Sequence, residues 1–211
     1  MVSALFRHRL VHAAIAAVFL MCPAPAAAQE VGVKAGANSA SLTPEDDVHP
    51  ATSRRFGPVA GVWVRMAPAS RVSFQVEGLF SEKGMKSEVP ELGASIDVGV
   101  RYLEIPLLAR AAFGASGSAA RVFVVGGAAP AFKLSARGAI TTGGQKQARD
   151  IDDEIYSADL GLVGGLGLQV GRALIEARYT HGLRHINTDD NGDEDRIKNR
   201  VFSLIVGIRL H

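Results

Sequence analysis

Cysteine is almost missing from this sequence: of 211 residues, only Cys22 carries a thiol. That residue falls within the first 28, which read as a secretory signal peptide. Arg7 and Arg9 precede an apolar run from Ala13 to Cys22, and Ala26-Ala27-Ala28 supplies the small residues of a cleavage site before Gln29. Met21 stands where a lipoprotein signal needs a small residue, so Cys22 is not read as a lipid anchor. The exported chain, residues 29–211, therefore has no disulfide, thiolate nucleophile or cysteine metal site. Aromatics are also few, with one Trp, three Tyr and nine Phe, and there is no basic stripe with stacking platforms, which excludes nucleic acid as a partner. Beyond Gln29 no run of 18 apolar residues occurs, so a membrane-spanning helix is excluded on length. The formal charge of +2 loses Arg7 and Arg9 with the leader, leaving 21 basic against 21 acidic side chains.

What the chain does have is period two. In Val72-Ser73-Phe74-Gln75-Val76-Glu77-Gly78-Leu79-Phe80 the odd places of the run are apolar or glycine and the even ones mostly polar, as in a strand with one greasy and one wet face. Leu103, Ile105, Leu107 and Ala109 alternate in the same way with Tyr102, Glu104 and Arg110. Leu160, Leu162, Leu166 and Leu168 oppose Asp159, Gly161, Gly165, Gly167 and Gln169. Ile175, Ala177 and Tyr179 alternate with Glu176, Arg178 and Thr180. Phe202, Leu204, Val206 and Ile208 oppose Ser203 and Arg209, with Val201 and Ile205 out of place on the wetter side. About eight strands result, near 31–39, 56–67, 70–82, 96–113, 119–136, 155–170, 172–185 and 199–211.

The connections between them alternate in length. Short ones fall at 67–70, 114–118 and around Gly171, and long polar ones at 40–55, 83–95, 137–154 and 186–198. Short turns at one end and long loops at the other predict an all-β, eight-stranded, antiparallel up-and-down transmembrane barrel. The 23 glycines, well above the usual ~7%, suit a small barrel that bends sharply. A soluble ligand-binding barrel shares the alternation but points its apolar face inward, so the place of the strand charges separates the two.

With apolar faces outward, the inner faces collect Lys34, Arg65, Glu77, Glu104, Arg110, Arg121, Lys133, Asp159, Glu176, Arg178 and Arg209. An eight-stranded bore is just wide enough for side chains to fill, so these groups are expected to pair with one another and plug it; a narrow conduit is the alternative. The loops are acidic instead, at Glu45-Asp46-Asp47, at Asp150 with Asp152-Asp153-Glu154, and at Asp189-Asp190 with Asp193-Glu194-Asp195. Solvated loop charge is the expected role. Asn187, Asp189, Asn191 and Asp193 have calcium-loop spacing, but Lys198 stands where a bidentate Glu belongs, so no metal is assigned.

Five stretches carry a family likeness: Val31-Gly32-Val33-Lys34-Ala35-Gly36-Ala37-Asn38, Val76-Glu77-Gly78-Leu79-Phe80-Ser81-Glu82-Lys83-Gly84, Tyr102-Leu103-Glu104-Ile105-Pro106-Leu107-Leu108, Glu176-Ala177-Arg178-Tyr179-Thr180-His181-Gly182-Leu183 and Asn199-Arg200-Val201-Phe202-Ser203-Leu204. In these the sequence from Gln29 to His211 resembles the porin-family outer-membrane β-barrel domain, the PorT-like group, similar in shape to the OmpA and OmpX barrels. The resemblance implies an integral protein of a Gram-negative outer membrane, in contact with its lipid and lipopolysaccharide. It also implies a surface, adhesion or secretion-associated role, with no catalytic residues and no cofactor. The ending Arg209-Leu210-His211 departs from the terminal aromatic usual in that group, and sparse aromatics predict thin interfacial girdles.

Enzyme readings fail on residue type. His181 follows Arg178-Tyr179-Thr180 as in a lipid A deacylase motif, but Leu183 occupies the place of the serine nucleophile. His49 and His185 have no metal-ligand spacing, and Gly164-Gly165-Leu166-Gly167 precedes no helix that could bind a nucleotide. The expectation is a non-enzymatic outer-membrane barrel whose loops meet a surface or periplasmic protein the sequence does not name. A small channel, a soluble periplasmic barrel or a lipid A-modifying enzyme are the alternatives.

Overall fold

A computed structural model describes residues 29–44, 52–89, 94–114, 118–152, 156–183 and 197–211. Within them the period-two segments form one sheet of ten strands, all pairing antiparallel: β1 (Gln29–Pro44), β2 (Thr52–Met66), β3 (Val72–Val89), β4 (Ala94–Glu104), β5 (Leu107–Phe113), β6 (Ala120–Thr142), β7 (Gln145–Asp150), β8 (Ala158–Val170), β9 (Ala173–Gly182) and β10 (Ile197–Arg209). Consecutive strands pair except β4 with β5 and β7 with β8, and β1 pairs with β10 from Gly32↔Arg209 to Pro44↔Ile197, which closes the sheet on itself. The ring has eight staves, because β4 and β5 make one between them and β7 stands outside it on β6.

The expected strand over 96–113 is thus two strands, and Pro106 is the reason. Proline has no N–H to give the ladder, so regular pairing stops at Ile105-Pro106. The stave stays bound on both sides there: Ile105 N–H donates to the Pro130 carbonyl (2.8 Å) and Glu77 N–H to the Pro106 carbonyl (3.0 Å).

Both long connections expected at 83–95 and 137–154 contain strand. β3 runs on to Val89, and β6 runs on to Thr142 before turning through Gly143-Gly144 into β7. Both glycines have positive φ (58° and 79°), as a tight two-residue hairpin requires. These polar residues lack an apolar face, so the alternation signal was weak, but in water a strand needs only its ladder partner. At the other end the joins are short, with a turn held by Ser70 N–H to the Ala67 carbonyl (3.0 Å) and the two-residue turn Gly171-Arg172 between Val170 and Ala173. The leader at 1–28, His49, His185, the acidic runs at 45–47, 153–154 and 189–195, and the calcium-loop spacing at 187–198 lie outside the described residues, apart from strand residues 197 and 198.

Orientation follows from exposure. Phe74 (44%) and Leu162 (51%) are open on the outside, whereas Glu77 (0%) and Arg178 (3%) are sealed within. Leu107, Val124, Leu166, Ile175, Phe202, Leu204 and Val206 continue the outer apolar band around the ring. The interior is not purely polar. Val201 and Ile205, which break the alternation of β10, point inward, and Ile205 packs with Val59 and Leu79. Leu108, Phe123, Val125, Ala129 and Val163 form a second inner apolar cluster.

Inner glycines make room for inner rings. A Cβ added at Gly167 would overlap the Phe123 ring and crowd the Ile175 carbonyl, whereas one at Gly164, on the opposite face of the same strand, would meet nothing within 4 Å. Gly167→Ala is therefore expected to abolish the folded, detergent-resistant band on an unheated gel or sharply lower its unfolding temperature, and Gly164→Ala to keep both. Equal behaviour of the two variants would contradict this packing.

Candidate functional site: the charged bore

β3 and β9 lie on opposite walls of the eight-stave ring. Their inward side chains meet across it. Arg178 of β9 donates from Nη1 to Glu77 Oε2 (2.7 Å) and from Nη2 to Glu77 Oε1 (2.6 Å), a fork that spans the bore from wall to wall. Lys34 of β1 bonds both Glu77 (2.7 Å) and Glu176 (3.2 Å), and Arg178 Nε also donates to Glu176. Two cations and two carboxylates thus neutralise one another at the centre, each nearly or fully buried. Gln75 adds an N–H to Glu77.

Nearer the short turns the arrangement differs. Arg65 and Arg209 share one acid, Glu30, with the Arg209 bond at 2.8 Å. Arg110 has no acid bonded to it among the described residues: it donates to Gln169 Oε1 (2.8 Å), which also receives Arg65 (3.4 Å), and its guanidinium lies 4.0 Å from the centroid of the Phe123 ring. Arg65 lies similarly near Trp63 (5.5 Å). Arg121, half-buried, has no side-chain partner among the described residues. Arginine at this end is therefore satisfied largely by an amide and by aromatic rings, where the sequence predicts acid partners throughout.

Toward the long-loop end, Glu104 pairs with Lys83 (2.7 Å), Asn38 donates to Ser81 (2.8 Å) and Ser203 donates to Asn38 (2.7 Å). Asp159 is buried and accepts the Leu160 N–H (2.7 Å), and half-buried Lys133 donates to the Asp152 carbonyl. The void lined by Asn38, Leu79, Ser81, Lys83, Glu104 and Arg178 measures about 10 Å³, room for about one water.

Several members escaped the sequence reading. Lys83 fell in a stretch taken for loop. Gln75, Gln169, Asn38, Ser81 and Ser203 carry no charge to draw attention, although their inward parity was readable. Glu30 lies at the very start of β1. His181 points outward beside Tyr179, their ring centroids 6.5 Å apart, on the same face as exposed Leu183.

A closed antiparallel barrel, apolar outside and ion-paired inside, is the form of an integral outer-membrane protein. Residues 26–187 match the outer membrane protein beta-barrel domain family, and the chain belongs to that family; its place is the cell outer membrane. No curated protein matches the chain significantly. Among solved structures it is similar to Ail, the attachment invasion locus protein of Yersinia pestis, at 16% identity over 87% of this chain and 99% of that one, with a TM-score of 0.46. It is also similar to Neisserial surface protein A at 14% identity, 84% and 96% coverage and a TM-score of 0.46. The outer membrane protein OprG from Pseudomonas aeruginosa gives 13% identity, 87% and 94% coverage and a TM-score of 0.44.

Removing one partner of the central quartet leaves a buried charge unmatched. Glu77→Gln is expected to lower stability by about 3–5 kcal/mol in urea unfolding from lipid vesicles, while Arg101→Ala, which loses a half-exposed pair with Glu82, costs less than about 1 kcal/mol. Equal losses would show that the cross-bore pairs do not hold the walls.

Proposed function

We propose that this protein is a non-enzymatic outer-membrane scaffold: a plugged barrel that presents its long-loop end to a surface partner and passes no solute. The observation that carries this reading is the pair of Arg178 hydrogen bonds to Glu77, which joins opposite walls beside a void of about 10 Å³. A conduit would need charge lining water, whereas these ionised groups are spent on each other. The other end of the argument is display. β3 and β6 continue past the outer apolar band, and every residue of β7 is exposed.

Neither His181 nor a metal cluster supports an enzyme reading in the described part. His181 faces outward with Leu183, not serine, on its own face, and no group of three or more His, Cys, Asp or Glu side chains able to hold a metal occurs among the described residues.

Two measurements test the proposal. In planar bilayers the refolded chain should give no stable conductance steps, and steps that persist would sink the plugged reading. With labelled lipid A or phospholipid no turnover is expected; turnover that disappears in His181→Ala would make the protein an enzyme.

A further inference from the structure

The four inward arginines of the short-turn end each stand within three residues of that end of their strand: Arg65 in β2, Arg110 in β5, Arg121 in β6 and Arg209 in β10. They project into the bore from four different staves around the ring. Among the described residues only two of them bond an acid, Arg65 and Arg209, and they share the same one, Glu30. Glu176, the next acid inward, is already held by Lys34 and Arg178. The His211 carboxylate takes the Val31 N–H (3.1 Å) and pairs with none of the four.

A second observation is independent of this charge count. Arg65 is buried, yet its Nε–H meets no acceptor. Nor does the indole Nε1–H of Trp63, the preceding inward residue of β2, whose ring lies 5.5 Å from the Arg65 guanidinium. Buried donors without acceptors are costly, and these two sit where Arg110, Arg121 and Arg209 add their repulsion. Half-buried Arg121 has no partner at all among the described residues.

From this we infer that the short-turn mouth of the bore binds a small soluble phosphate, as the free ion or a monoester, among Arg121, Arg209 and the unbonded Nε of Arg65. All the cations here are arginines, whose planar fork matches the oxygens of phosphate or carboxylate better than a point charge does. Donors that converge from different sides of a ring favour a tetrahedral anion, with oxygens facing every way, over a planar carboxylate. Inward parity makes the source soluble. The stave wall stands between these side chains and the acyl chains of any lipid, and the Arg178–Glu77 bonds lie between the mouth and the long-loop end. Entry is from the short-turn side, which is periplasmic in such barrels. The inference goes beyond the scaffold reading, and binding to the mouth is measured without reference to whether the bore conducts.

The test is calorimetry of the full chain refolded in detergent, titrated separately with inorganic phosphate and with glycerol phosphate. One saturable site is expected at millimolar concentration or below. Trp63 is the only tryptophan of the chain, so its fluorescence should change with the same midpoint. Arg121→Ala, which breaks no bond of the fold, should weaken binding at least about tenfold. Arg172→Ala, which removes an exposed cation from a turn at the same end, should weaken it less than about twofold. The tighter of the two ligands identifies the source as free ion or ester. Failure of the wild-type protein to bind either ligand at millimolar concentration overturns the site, whatever the variants do. Binding that leaves Trp63 emission unchanged, or that Arg121→Ala keeps in full, overturns its placement in the mouth. Equal loss in Arg172→Ala overturns it in favour of general charge attraction, and displacement by an equal concentration of chloride overturns phosphate as the ligand.

Discussion

A sheet in hydrocarbon has no solvent to satisfy an open edge, so the first strand must find the last. The continuous ladder of β1 with β10 meets that demand, and the rest of the molecule follows from it. Once the ring is closed, parity along every stave is locked, because a slip of one residue would exchange its lipid and bore faces. Phe74 then has to meet lipid and Glu77 has to meet the axis, whatever either would prefer alone. The polar side chains have no exit from a bore this narrow, so they must settle with one another.

They do so in two ways. At the centre the solution is charge against charge, since Glu77 and Arg178 come from opposite walls and Lys34 from a stave between them. A buried ion pair gains little over well-packed hydrophobic residues, but a mismatched one is costly. The quartet therefore selects one register of closure more than it adds stability. Near the short turns four arginines, Arg65, Arg110, Arg121 and Arg209, are grouped with one acid, Glu30, and the Gln169 oxygen and the faces of Phe123 and Trp63 take the remaining load. Apolar residues fill the levels between, which is why Val201 and Ile205 are tolerated on an inner face.

Alternation made the eight staves, their order and their orientation legible in the sequence, because a half-buried strand writes its two faces into every second residue. Other features leave no such trace. Pro106 signals a missing donor, but the sequence does not say that Pro130 and Glu77 bridge the gap. β7 has no apolar face to read. The inner amides of Gln75 and Gln169 look like ordinary polar residues until the bore places them beside arginines. The outward cluster of Arg55 with Glu82, Asp97 and Arg101 was hidden for a different reason, since Arg55 comes from a segment that read as polar loop.

Two irregularities in the strand pairing reverse parity toward the long-loop end. Pairing of β2 with β3 shifts between Arg54 and Val59, and pairing of β4 with β6 shifts between Arg101 and Tyr102, so that Leu134 is passed over. A bulge inserts one residue and re-aims all that follow. Without the second, Arg137 would share the inward parity of Lys133 and enter a bore already rich in cations. Without the first, Arg55 would turn away from Glu82 and Asp97. Both shifts fall just beyond the level of outward Phe80 and Phe132, where the surroundings change from hydrocarbon to water. Below that level an outward side chain must be apolar; above it charge is free to face out. The bulges mark the boundary at which the same strands change which face carries their arginines.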